Sequence, residues 1–380
     1  MKKLITILVL CSLLSSCIEA DITPLLKSNG SKGENEPEQA AIWSHGLDYK
    51  SSRATRLYTF QESLISIIEF NEGFVVQANS LDSGKQIWKQ TNVGKCTPSS
   101  ASDCQLFENI LVLSDYSYTL AIDANTGEIL WRDFQSNGSD EISVIDGKVI
   151  KMASNTGWCE AYEINIKTGA KNLLFRRTKE NNQQYSPEYY APTKAKLANG
   201  DVVYLFYGRS IKNQSEKQLE VMAFNMDGLK VEWVKYLGPE YHRSKMIVID
   251  SKFYLTSINN MYCLNVETGE HCWKTPISFR CEDYVISDER IFLNSGEVLK
   301  LSNGKKIREE EFLSLGYSLN ENKDFVIASS SSISILDKQS LELYKYGEYF
   351  GWYVLPHPTK NQLYVTKNGT LFCLAIDRMK

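Results

Sequence analysis

Short apolar runs separated by polar turn residues pattern this chain, and one stretch shows the unit plainly. Tyr118-Thr119-Leu120-Ala121-Ile122 is almost wholly apolar, Asp123-Ala124-Asn125-Thr126-Gly127 is rich in turn formers, and Glu128-Ile129-Leu130-Trp131 becomes apolar again. A run that short and that apolar reads as a strand buried between neighbours. Asp, Asn and Thr side chains cap the turn, and Gly supplies a positive φ that other residues avoid. The predicted element is a hairpin. Its Trp, just past the turn, is large enough to seal one sheet against the next.

The same phrase returns down the chain. Strong copies are Leu81-Asp82-Ser83-Gly84 leading to Trp88, and Leu264 to Gly269 leading to Trp273. Weaker ones turn at Gly169, with Leu173 where Trp would fall, at Gly228, leading to Trp233, and at Gly304 after Leu301-Ser302-Asn303. A seventh copy, Ile335 to Tyr344, has no glycine, carries Ser340 in its turn and puts Tyr344 in the aromatic slot. Successive glycines lie 43, 42, 59, 41 and 35 residues apart. A period of about 40 to 45 residues with paired strands predicts an all-β fold, a β-propeller of four-stranded antiparallel blades.

The C-terminal Leu371-Phe372-Cys373-Leu374-Ala375-Ile376-Asp377 is the first half of an eighth copy, cut off before its turn. Ala41-Ile42-Trp43 supplies the strand and aromatic it lacks, so the ends close one shared blade. Eight blades follow, or seven if the copy at 336–344 is only a loop. The pattern Leu-x-Ala-Ile-Asp-x-x-Thr-Gly-x-x-x-Trp resembles the pyrroloquinoline-quinone-type (PQQ-like) propeller repeat over roughly residues 42–377. With the leader described next, the chain is most similar to the BamB family of accessory lipoproteins of the outer-membrane barrel assembly machine.

Met1-Lys2-Lys3 followed by an apolar run from Leu4 to Leu14 reads as a signal peptide over residues 1–16, too short to span a membrane. Leu14-Ser15-Ser16-Cys17 resembles a lipobox, which implies that Cys17 is acylated with palmitate-class chains. Ile18 after it, rather than Asp, implies the outer membrane, facing the periplasm. Residues 17–40 then carry the lipidated Cys and a Gly, Pro, Ser and Glu-rich tether, which cannot bury enough surface to offset chain entropy. The propeller domain is residues 41–380.

Removing the two leader lysines leaves 40 basic against 46 acidic residues, which argues against a nucleic-acid partner. Seven of the nine cysteines lie beyond Cys17. In an oxidising compartment the local pairings are Cys96 with Cys104, and Cys263 with Cys272 or Cys272 with Cys281. No metal site is expected, since Cys-x-x-Cys is absent and the four His are scattered.

Catalysis is disfavoured on sequence. The resemblance brings a quinone-dependent dehydrogenase to mind, but such enzymes are much longer and commonly carry a vicinal Cys-Cys, absent here; no PQQ cofactor is expected. Asp123 belongs to a repeated turn and reads as a cap, and Ser329 to Ser332 as a turn and edge strand without a hydrolase elbow. The long glycine interval holds an insertion, roughly Phe175 to Pro192, with Arg176, Arg177, Tyr185, Tyr189 and Tyr190. Tyr and Arg dominate protein contacts, so this segment is the candidate partner-binding loop. The expected function is a periplasm-facing scaffold for protein interactions in outer-membrane protein assembly, the barrel assembly machine being the partner the resemblance implies. The alternative is an envelope ligand-binding or toxin-immunity lipoprotein on the same fold.

Overall fold

The computed structural model describes residues 41–376, except 48–52, 71–72, 92, 95–102, 115–117, 135–141, 155–157, 179–187, 191, 213–215, 239–244, 278–280, 282, 309–317, 330–331, 349–353 and 368. The signal peptide, Cys17, the tether, Cys96 and Tyr185 lie outside the described residues. Eight antiparallel sheets follow one another in chain order and make an eight-bladed propeller. Blades 1 to 7 occupy residues 53–90, 103–134, 142–178, 188–238, 247–276, 284–308 and 318–348. Blade 8 joins residues 354–375 to the N-terminal strand Ala41–Gly46, which pairs with Thr370–Ala375. The termini therefore close the ring, and the glycine-less copy at 336–344 is a full blade, which excludes the seven-blade alternative.

Each period builds a blade because its middle strands are apolar on both sides. Tyr118–Asp123, the third strand of blade 2, is buried over its first five positions, whereas the outermost strands alternate, as in His271–Pro276. The core is not one mass. Eight separate apolar clusters lie at the eight blade junctions, such as Val149 and Ile164 against Val112 and Trp131 between blades 2 and 3. Burying both faces of every sheet against its neighbours gives the ring its stability.

Ser329 and Ser332 end and begin the second and third strands of blade 7, interior positions rather than an edge. Residues 330–331, where the serine run predicts a turn, lie outside the described residues. The expected edge strand is not found, because the apolar positions on either side, Phe325 to Ala328 and Ile333 to Leu336, are buried between strands.

Candidate interaction surface and the blade junctions

The repeated phrase forms a lock between neighbouring blades. Asp123 Oδ1 accepts the backbone N–H of Asn125 (2.7 Å) and Thr126 (3.2 Å), while its Oδ2 accepts Asn109 Nδ2 (3.1 Å). That carboxylate is engaged by its own turn. Gly127 follows at φ +78°, and a Cβ there would stand 2.6 Å from Trp88 Cε3 of blade 1. The Trp88 indole N–H donates to Ala124 O at 3.0 Å, on the same turn.

Four more junctions repeat this dock. Trp43 lies on Gly84 and donates to Leu81 O, Trp131 lies on Gly169 and donates to Ile166 O, and Trp233 and Trp273 do the same on Gly269 and Gly304. Each of these Trp residues follows a one-residue β-bulge in the outermost strand. A bulge re-aims the side chain after it, here towards the next blade. Four of the bulged residues, Ile42, Ile87, Leu130 and Cys272, are left exposed on the rim.

Junctions that depart from the phrase do so on both sides at once. In blade 4 the left-handed position is held not by Gly228 but by Leu229 (φ 45°), four residues before Trp233. In blade 7 it is Leu341 (φ 61°). A side chain there blocks an incoming indole, and blades 3 and 6 accordingly offer Leu173 and Arg308 instead of Trp. Between blades 3 and 4 the bulge has moved past Leu173, leaving it half exposed, and the aromatic filler is Phe175, packed on Phe206 and Phe224 at 5.2 and 5.0 Å between centroids. Between blades 6 and 7, Arg290 and Arg308 donate to Lys338 O (2.7 Å) and Leu341 O (2.6 Å) in place of an indole. A polar cleft of about 470 Å³ opens there, lined by Asp288, Arg290, Asp324 and Lys338.

Of the residues expected to bind a partner, Arg176, Arg177, Tyr189 and Tyr190 lie at the two described ends of the insertion. Arg176 and Arg177 belong to the strand Lys171–Thr178, and Tyr189 is buried in the short strand Glu188–Tyr189, which pairs with Val202–Lys212 of blade 4. Arg177 Nη1 lies 2.7 Å from Glu220 Oε1, itself 1% exposed, and the Tyr189 hydroxyl donates to the same carboxylate. Arg176 pairs with buried Glu160. Tyr190 is half-buried and stacks on Tyr207 at 5.0 Å. A buried carboxylate requires such partners, so Arg177 and Tyr189 join blades 3 and 4 where the Trp dock is missing. Burial in this network pushes the nearby Cys159 thiol up to about 12, despite Arg177.

Exposed apolar surface gathers elsewhere. Besides the bulge positions, the concentration is on blade 4, where Leu229 and the outermost strand Lys230–Gly238 present Val231, Val234 and Tyr236, 36–61% exposed. Val234 and Tyr236 are two apart and share one face. Lys235, on the other face, reaches Glu270 of blade 5 at 2.7 Å.

Of the cysteines expected to pair, Cys104 is buried, and Cys263, Cys272 and Cys281 are free thiols. Cys281 is wholly enclosed and its Sγ donates to Asp283 O at 3.1 Å. Among the described residues no three His, Cys, Asp or Glu side chains gather as a metal site.

A family described as outer membrane protein assembly factor BamB matches residues 72–308. The fold is similar to that of BamB from Moraxella catarrhalis, at 14% identity and TM-score 0.61, covering 88% of this chain and 96% of that one. It is similar to Sqt1 from Saccharomyces cerevisiae at 13% identity and TM-score 0.64, covering 88% and 98%. It also resembles the dihydro-heme d1 dehydrogenase NirN, at 12% identity and TM-score 0.63, covering 92% and 79%. No curated protein matches the chain.

Proposed function

The chain belongs to the family of outer membrane protein assembly factor BamB, and from that premise we propose that it is a non-catalytic envelope scaffold whose blade 4 rim holds a protein partner. The observation that carries this reading is the apolar edge formed by Leu229, Val231, Val234 and Tyr236 on the outermost strand of its sheet. Exposed apolar surface gathered on one strand marks an interaction site rather than scattered exposure. An outermost strand can also take on a further strand, with side-chain pockets giving selectivity. A partner from outer-membrane assembly, either a subunit of the barrel assembly machine or the extended chains it handles, fits such an edge.

Anchoring through an acylated Cys17, with the ring in the periplasm at the outer membrane, completes the reading. The long tether lets the rim reach a membrane-bound partner. A quinone-enzyme reading has less support, because Asp123, the acid most suggestive of a base, accepts two hydrogen bonds within its turn and a third from Asn109. The likeness to a dehydrogenase is one of fold, at 12% identity.

The test is co-purification from envelopes solubilised in mild detergent, comparing the wild type with Val234→Asp/Tyr236→Asp. The wild type is expected to retain barrel assembly subunits and the double variant to lose them while unfolding at the same denaturant midpoint. Failure of those subunits to co-purify with the wild type would move the function to the envelope ligand-binding or immunity alternative.

A further inference from the structure

Blade 5 differs from every other blade at one pair of positions. In the docked blades the third-strand residue opposite the Trp is Ala78, Ala121 or Ala223, and the bulged residue before the Trp is Ile87, Leu130 or Glu232. Blade 5 puts Cys263 opposite Trp273 and Cys272 at the bulge. The register sets the two cysteines on adjacent strands, Cys272 being the extra residue beside the Trp273 that faces Cys263. Cys263 is fully buried against Tyr254 and Trp273, while Cys272 is exposed on the rim. Blade 8 has half of this arrangement, with Cys373 opposite Trp43 but Ile42 at its bulge.

We propose that Cys263 and Cys272 are a redox site, closing to a disulfide that ties the outermost strand of blade 5 to its neighbour at the base of the Trp273 dock. The chemistry divides between an accessible attacking thiol and a sheltered resolving one. With a dialkyl disulfide such as oxidised glutathione, the Cys272 thiolate attacks one sulfur, breaking the S–S bond and expelling one thiolate. Cys263 then loses its proton to solvent and attacks Cys272 Sγ, forming the internal disulfide and expelling the second thiolate. Two protein thiols are oxidised and one disulfide is reduced to two thiols. Burial pushes the Cys263 thiol up to about 12, so it is a poor first attacker and the order of events is set. Exposure of Cys272 leaves the finished bond open to reduction, so the link is reversible.

The experiment exposes the folded full-length chain to oxidised glutathione, blocks remaining thiols with N-ethylmaleimide after denaturation, and maps the peptides by mass spectrometry. The expected product is a peptide pair joined through Cys263 and Cys272 with the loss of two hydrogens, reversed by a dithiol reductant, while Cys281 and Cys159 carry the maleimide. Cys263→Ser should convert Cys272 into a stable glutathione adduct. Ile42→Cys should create the same link to Cys373 in blade 8, since the bulge geometry is shared. Glutathione retained on Cys272 in the wild type with Cys263 alkylated, or a bond from Cys272 to Cys281 or to a second molecule, would overturn the proposal. Neither result bears on the blade 4 rim, so the two readings fail separately.

Discussion

Replacing Gly127 with Ala tests the physical basis of the ring. The residue sits at φ +78°, where an L side chain is strained by about 1–2 kcal/mol. The added Cβ would also lie 2.6 Å from Trp88 Cε3 and 2.9 Å from Cδ2, so the indole must shift. Trp88 is only 9% exposed, and its N–H bond to Ala124 O is part of the dock. Overpacking of this kind costs about 1–3 kcal/mol, and a disturbed hydrogen bond about 0.5–1.5 more. Gly147 is the matched control: its φ is +73°, yet a Cβ there would meet nothing nearer than Phe107 Cε1 at 3.8 Å. Gly147→Ala is therefore expected to show the backbone strain alone, about 1–2 kcal/mol. Urea unfolding followed by tryptophan fluorescence should place Gly127→Ala at least about 1–3 kcal/mol below the control, with the slope unchanged. Equal midpoints for the two variants would refute the reasoning that the dock, rather than the turn, demands glycine.

Three further outcomes follow from the junctions. Glu220→Ala leaves Arg177 and Tyr189 without their shared acceptor and should destabilise by about 3–5 kcal/mol, whereas Glu220→Leu/Arg177→Leu should recover much of that loss in a double-mutant cycle. His357 takes the N–H groups of Thr359 and Lys360 on Nδ1 (3.1 and 3.2 Å), and burial holds its pKa below the usual 6.5. The unfolded chain thus binds the extra proton first, so stability from neutral His357 is complete above 6.5 and declines as pH falls below it; His357→Gln should flatten that decline in urea titrations across the range. Leu229→Gly relieves a left-handed Leu that is 61% exposed, and the relief of about 1–2 kcal/mol offsets the added chain entropy of about 0.4–1 kcal/mol, so calorimetry should find no destabilisation.

Most of the fold was legible in the sequence because the dock is a local phrase. A turn glycine and a Trp four residues later occur within one hairpin, so the copies at Gly84, Gly127 and Gly269 could be aligned by eye, and Trp43 announced the closure. The sequence is silent where partners lie far apart in the chain. A Leu at positive φ carries no composition signal, so residue type favours Gly228, although the four-residue spacing to Trp233 marks Leu229. Arg177 and Tyr189 look the same in sequence whether they face a partner or a buried Glu220, and that carboxylate lies 43 and 31 residues away. The apolar residues of Lys230–Gly238 resemble any strand until the sheet order shows which one is outermost.

Photocrosslinking from position 236 in intact envelopes tests the central claim most directly. A benzophenone amino acid in place of Tyr236, on the exposed rim of blade 4, is expected to join the chain to a subunit of the barrel assembly machine or to an outer-membrane protein in transit. The same probe in place of Ile307, exposed on the rim of blade 6, should give no such product. Adducts to those proteins from position 307 and none from 236 would contradict the account.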